Sequence, residues 1–319
     1  MIEASEGFGV CFFRGMNRVI GLQLKIGSPS PLAKHERSLR HRAMGLVMGM
    51  HRTIPAALTI AGSDCSAGAG AQADLKTFQH FQVHGLTAIT CVVSETALTV
   101  RAVHAVPPAM LEDQLSLMLD SFALRAAKTG MLLSTAHIET TARVLRNYPQ
   151  LQLVVDPVMI ASTGDPLLEP DAIDAYRELL FPLASLITPN LHEAKALLGK
   201  PIAHESELDA AAIELQQKYN TAILLKGGHL DHPECIDALA EANGIQRFSS
   251  PRLAVQASHG TGCTLSAAIT AQLAHGASLP VAVANAKSYL NETLRQSYSF
   301  QSPNGEVIHA LNQGTDFEE

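Results

Sequence analysis

From Ala56 onward the chain alternates short apolar runs with longer segments in which apolar residues recur every three or four positions, and this alternation restricts it to strands joined by crossover helices. Strands are predicted over 56–60, 87–93, 151–155, 185–187 and 222–225, with helices over 107–122, 135–146, 171–180 and 205–219. Strands connected in this way run parallel and are buried on both faces, so helices must cover both sides of the sheet. One interruption breaks the pattern. Two short runs, 235–239 and 245–248, flank Asn243-Gly244, a pair suited to a tight hairpin turn. The expected architecture is α/β: a central, mostly parallel sheet with helices on both faces and a short antiparallel hairpin at one edge. No repeat or change of composition divides 53–319, which is expected to be one domain.

Composition narrows the function classes. The chain of 319 residues is 47% hydrophobic, ample for a full core, and its net charge of −7 disfavours nucleic acid as a main partner. The five Cys include no Cys-x-x-Cys pair, which argues against a structural zinc or a disulfide framework and fits a reducing cytoplasm. No apolar run of about 18 residues offers a membrane span. Residues 1–52 stand apart: they hold eight Lys or Arg against three Glu and a Gly-Ser-Pro-Ser-Pro stretch, without a clean period. They are expected to be a disordered basic arm or sequence upstream of an internal start at Met44, Met48 or Met50, with a transit peptide disfavoured by Glu3, Glu6 and Glu36.

Four motifs carry chemistry, each placed after a predicted strand, where ligands of parallel sheets gather. In Ser258-His259-Gly260-Thr261-Gly262-Cys263-Thr264 a glycine turn enters an Ala-rich helix. Its backbone N–H groups and the helix N-terminus suit a phosphoryl group. Cys263, in the first helical turn, reads either as a thiolate favoured by the helix dipole or as a small buried hydrophobe. The loop Gly62-Ser63-Asp64-Cys65-Ser66-Ala67-Gly68-Ala69-Gly70 lacks dinucleotide-binding spacing and opens a helix bearing Asp74, either a ligand-binding acid or a solvated one. Asp156 precedes Pro157, and Glu193 lies in Thr188-Pro189-Asn190-Leu191-His192-Glu193; two strand-end carboxylates suit a hydrated Mg2+, although each alone could be a turn or helix-start acid. Lys226-Gly227-Gly228 offers a point charge for nucleotide phosphates with room beside it. The loop 161–168 has the breaker-rich composition of either a flap or an ordinary surface loop.

Taken together, His259-Gly-Thr-Gly-Cys-Thr-Leu-Ser-Ala267, the loop after the first strand, Asn190-x-x-Glu193 and Lys226-Gly-Gly-His229 resemble the hydroxymethylpyrimidine and phosphomethylpyrimidine kinases of the ribokinase-like superfamily. The likeness extends to Gly305-Glu306-Val307-Ile308-His309, a departure from that family's closing Gly-Pro-Val-x-His. It implies an ATP- and Mg2+-dependent kinase, usually a homodimer, acting on 4-amino-5-hydroxymethyl-2-methylpyrimidine and its monophosphate. Cys263 then becomes the base and Gly260, Thr261 and Gly262 the anion hole. Gly62, Asp74, Val93, Glu95, Met131 and Val158 surround the substrate, Thr188, Asn190 and Lys226 face ATP, and Asp156 and Glu193 hold Mg2+. Glu95 departs from the pattern, because many members have Gln there to pair with the pyrimidine edge. A pyridoxal or pyridoxine kinase is the alternative; a binder that lost catalysis would show damage to the anion hole or the acids, and none is visible. A chain beginning at Met50 is expected to match the full chain in activity and melting temperature, and a clear drop on truncation would show that residues 1–49 support the domain.

Overall fold

Alternating residues of each central strand face opposite helical layers in the computed structural model, which describes residues 54–159, 172–228, 230 and 232–314. Expectations placed on 1–53, on the 161–168 loop and on His229 lie outside the described residues. In β1 (Ala56–Asp64), Leu58 and Ile60 join one core and Ala57 the other. The same division holds for Leu153 and Val155 against Val154 in β5 (Gln152–Val155), and for Ile223 and Leu225 against Leu224 in β7 (Ala222–Lys226). The sequence shows unbroken apolar runs at these places because both faces of each strand are covered.

The first layer comprises α2 (Pro108–Ser121), α3 (Thr135–Leu145), α4 (Ala172–Ala175) with the π turn Tyr176–Leu180, α5 (Leu191–Leu198) and α6 (Leu208–Tyr219). The second comprises α1 (Gly70–His80), α7 (Thr261–Ala274) and α8 (Leu279–Arg295). Ala267, Ala268, Ala271 and Ala274 are buried in α7, so this helix packs closely on several sides at once. Its buried Thr264 and Thr270 hydroxyls donate to the carbonyls of Gly260 and Ser266, four residues back, each at 2.8 Å, leaving neither donor orphaned.

Among the described residues, nine strands form one sheet in the order β3-β2-β1-β4-β5-β6-β7-β8-β9. Besides those given, β2 is His84–Thr96, β3 Thr99–Ala105, β4 Ala126–Thr129 and β6 Leu186–Ile187. The expected hairpin is β8 (Glu234–Glu241), which runs antiparallel to β7, with β9 (Gly244–Pro251) antiparallel to β8. The other edge is antiparallel too: β3 folds back on β2. That strand escaped sequence reading because six of its seven residues are exposed, so it carries no buried stripe. β4 escaped for the opposite reason. Its Ala-Ala-Lys-Thr is fully buried but short, poor in β-formers and interrupted by a charge. A separate pair, β10 (Tyr298–Gln301) and β11 (Val307–Ala310), completes the described chain.

Candidate active site

The order of strands reverses beside β1: β2 lies on one side of it and β4 on the other. Loops leaving the carboxyl ends of β1 and β4 therefore diverge, and a crevice opens between them. A cavity of about 650 Å3 occupies this place, lined by Gly62, Gly130, Met131, Asp156, Glu193, Lys226 and residues 258–263, among others.

Two glycine loops make one wall. Gly260 adopts φ +82° immediately before α7, and a Cβ on it would stand 2.0 Å from the Gly68 carbonyl oxygen. Gly70, at φ +59°, opens α1, and a Cβ there would meet the Gly62 oxygen at 2.5 Å. Only glycine combines this backbone with this proximity. Asp64 joins the loops: its buried carboxylate accepts hydrogen bonds from the amides of Ser66 (2.7 Å), Gly68 (3.1 Å) and Ala69 (2.8 Å), and His259 Nε2 lies 2.9 Å away. Burial works to raise the Asp64 carboxyl, but His259, the Ser66 hydroxyl and these amides outweigh it and bring it down to about 2. Gln313 fastens the same wall, donating from Nε2 to the Gly68 oxygen (3.1 Å) and to Thr264 Oγ1 (3.0 Å).

Cys263 is half-buried in the first turn of α7, facing the cavity. Burial pushes Cys263 up to about 11, against the opposing influence of the Lys128 charge and a hydrogen bond from the Gly70 amide. At the neighbouring strand ends, Asp156 Oδ1 accepts from Lys226 Nζ at 2.9 Å and Thr188 Oγ1 at 3.1 Å, while Ser266 Oγ lies 3.2 Å from Oδ2. Burial acts to raise Asp156, yet the Lys226 and Lys128 ammoniums and these bonds hold it below the usual carboxylate range. Asn190 caps α5 by accepting from the Glu193 amide (2.9 Å), and Glu193 Oε2 accepts from the Asn190 amide (2.7 Å) in return. This reciprocal cap fixes the carboxyl group of Glu193 in the cavity wall. Burial, aided by the Asp156 charge and opposed by Lys226, pushes Glu193 up to about 7.

Of the residues singled out in the sequence, the cavity brings together Gly62, Val93, Glu95, Met131, Asp156, Val158, Asn190, Glu193, Lys226, Gly260, Thr261, Gly262 and Cys263. Thr188 is fully buried and reaches the site through Asp156. Asp74 is placed differently from its expected role as a substrate ligand. It is fully buried behind the wall, bonded to Lys128 Nζ at 2.8 and 2.9 Å and to Thr59 Oγ1 at 2.6 Å. Sequence reasoning missed Lys128, although a lone charge inside the apolar stretch at 126–129 was a visible sign of a buried partner. It also missed Asp64, whose place two residues before Ser66 suits a local Asx turn.

A family model described as phosphomethylpyrimidine kinase matches residues 64–308. The hydroxymethylpyrimidine/phosphomethylpyrimidine kinase of Escherichia coli is 41% identical over 250 residues, covering 78% of this chain and 94% of the relative. The thiamine biosynthesis bifunctional protein ThiED of Geobacter sulfurreducens is 40% identical over 254 residues, covering 80% of this chain, which spans about half (52%) of that longer protein. Among solved structures, the ADP complex of Bacillus subtilis pyridoxal kinase superposes with a TM-score of 0.74 at 34% identity, covering 82% of this chain and 98% of that one.

The Asp64 link sets a pH dependence. A carboxyl held at about 2 in the folded protein, against about 4 unfolded, stabilises the fold by about 2 kcal/mol above pH 4, and this is lost as pH falls through 2. Asp64→Asn is expected to lower unfolding free energy by at least that amount at pH 6, with its deficit against the native protein shrinking between pH 4 and pH 2 in chemical denaturation. A constant deficit across that range would detach the effect from Asp64 ionisation.

Proposed function

The chain belongs to the phosphomethylpyrimidine kinase family, and from that premise we propose that it transfers the γ-phosphoryl group of ATP to the hydroxymethyl oxygen of 4-amino-5-hydroxymethyl-2-methylpyrimidine and then to the phosphate of the monophosphate formed, in thiamine biosynthesis. The observation that carries this reading is one cavity shared by Cys263, the Gly260–Gly262 anion loop and the Asp156, Glu193 and Lys226 charges.

The amides of residues 260–262 and the N-terminus of α7 receive the transferring phosphoryl group, whose charge they stabilise without reorganising. Lys226, tethered to Asp156, offers its ammonium to the polyphosphate, and the Asn190 segment lines the nucleotide side. Cys263 faces the same space and is the group placed to take the proton of the substrate hydroxyl, in a thiolate form that burial disfavours in the unliganded protein. Mg2+ fits Asp156 and Glu193: they are two carboxylates lining one cavity, one pushed up to about 7 by burial with the Asp156 charge beside it, and hydrated Mg2+ characteristically takes one or two carboxylates. When bound, it neutralises phosphate charge.

Glu95 bears on substrate choice. Burial, with the Asp64 charge nearby, raises its carboxyl above the ordinary range, opposed by His259. A protonated carboxyl has one donor and one acceptor on adjacent oxygens, the pattern an aminopyrimidine edge requires. Pyridoxal has no exocyclic amine, so it leaves the acceptor unpaired. The pyridoxal kinase reading is favoured by the close superposition on the Bacillus subtilis enzyme, but Glu95 weighs against it. A homodimer formed through the β3 edge suits the exposed Val92, Leu98 and Val103, and cytoplasmic placement suits the free cysteines; among the described residues, no helix is long and apolar enough to cross a membrane.

ADP release measured with the aminopyrimidine and with pyridoxal tests the assignment. The native protein is expected to prefer the aminopyrimidine, with affinity falling as pH rises through the Glu95 titration, and Glu95→Gln is expected to flatten that slope. A native preference for pyridoxal, or a Gln variant unchanged on both substrates, overturns the substrate assignment. Cys263→Ala is expected to cut kcat by at least about 100-fold with ATP binding intact; near-native turnover would remove it as the base.

A further inference from the structure

Asp237 of β8 and Lys287 of α8 form a buried ion pair that none of the steps described above employs: Lys287 Nζ donates to Asp237 Oδ2 at 2.6 Å. As a source of stability such a pair is poor, because desolvating two charges cancels most of their attraction and apolar residues of similar volume often do as well. Its other contact ties it to the site. Asp237 Oδ1 accepts from the amide of Gly227 at 3.1 Å, and Gly227 directly follows Lys226, the last residue of β7. In the antiparallel register of β7 and β8, Lys226 stands opposite Asp237 as Leu224 stands opposite Leu239. Both leucines belong to the second core, so Lys226 and Asp237 share the face turned to that layer. The Gly227 amide also donates to the Ile236 carbonyl at 3.0 Å, and a Cβ on Gly227 would stand 2.1 Å from that oxygen, so only glycine lets β8 approach the turn this closely. Beyond it, the Arg252 guanidinium donates to the carbonyls of Gly228 (3.0 Å), Leu230 (2.6 Å) and His232 (2.8 Å).

We propose that Asp237 is a positioning residue for ATP: aimed by Lys287, its carboxylate holds the Gly227 amide and so fixes the turn from which Lys226 reaches the polyphosphate. The inference rests on the reading of the cavity as a nucleotide site. On the β6 side, Lys226 is secured by its own amide, which donates to the Pro189 carbonyl at 2.9 Å. Its ammonium reaches Asp156 at 2.9 Å and lies 3.5 Å from the place a Cβ on Gly262 would take, so it stands between the strand-end acid and the glycine turn. The Asp237 bond supplies the hold on the β8 side, one residue further along the chain. Lys287 has a part in this, because it neutralises an acid that stands directly across the sheet from the Lys226 backbone and leaves the Lys226 ammonium to Asp156 and the cavity. A group held in place before its ligand arrives spares the ordering that binding would otherwise cost. A loosened turn therefore weakens ATP and leaves the alcohol substrate, placed above beside Glu95, unaffected.

The test compares two ligands on the full chain by calorimetry: AMP-PCP, a non-hydrolysable ATP analogue, with Mg2+, and separately the aminopyrimidine, or pyridoxal where the native protein prefers it. Asp237→Leu combined with Lys287→Met removes the acceptor and leaves no buried charge. The Kd for AMP-PCP is expected to rise about tenfold, the worth of one hydrogen bond to a charged group, while the Kd for the alcohol stays within about twofold of native. Asp237→Asn combined with Lys287→Gln returns an uncharged acceptor to the Gly227 amide and is expected to recover most of that loss. A pair with only a structural role weakens both ligands together or neither. A native Kd for AMP-PCP in the first double variant, an equal loss for both ligands, or no recovery in the second overturns the inference. If the first double variant does not fold, Asp237→Glu decides alone, since it keeps the charge and displaces its oxygens from the Gly227 amide: the same loss confined to AMP-PCP is expected, and a native Kd overturns the inference. A native protein that does not bind AMP-PCP overturns the nucleotide reading and this inference with it, whereas native binding that the substitutions leave unchanged overturns the role of Asp237 alone.

Discussion

The carboxylate of Asp156 is the point on which the site depends. It stands at the end of β5 and receives Thr188 from the end of β6, Lys226 from the end of β7 and Ser266 from α7. One buried anion thus binds the carboxyl ends of three parallel strands to the helix that follows the Gly260–Gly262 turn. A buried charge tolerates such a place only when its lone pairs are satisfied, so each partner is held as firmly as the acid itself. Removing any one partner leaves the others around an undercompensated charge.

A second tier of buried charge lies beneath the first. Asp64 gathers the amides of one glycine loop and the imidazole of the other, so the two loops of the cavity wall are joined through a single side chain. Lys128 and Asp74 stand under the floor. The apolar residues of the two helical layers hold the sheet rigid, and rigidity lets these charges act at fixed distances in a medium that screens them weakly. Preorganised charge of this kind is what phosphoryl transfer asks of a protein, since the chemistry itself resides in ATP.

Much of this was legible in the sequence, for identifiable reasons. Strands such as β1, β5 and β7 are apolar on both faces and read clearly, and the Asn243-Gly244 turn marks its hairpin. Cys263, Asp156, Glu193 and Lys226 could be singled out because each follows a strand, and the fold brings them to one cavity. What escaped depends on contacts distant in sequence. Asp74 and Lys128 are 54 residues apart, so nothing local distinguishes an acid paired in the core from one facing solvent or substrate. The two readings of Cys263 stayed open for a related reason: the helix start is visible in the order of residues, whereas the burial that raises its thiol is a property of the assembled protein. The β3 edge has no inward stripe, and only its pairing with β2 reveals it.

The hold of Gln313 on the Gly68 carbonyl spans 245 residues, and that of His259 on Asp64 spans 195. Contacts of such separation carry a high loop-closure cost that only prior assembly of the intervening sheet can lower. This cavity wall is therefore not a local motif that could form on a nascent fragment. On the ribosome, the glycine loop after β1 emerges early and must wait for nearly the whole domain before its last hydrogen bond can close, so this cavity wall is complete only after Gln313 has emerged.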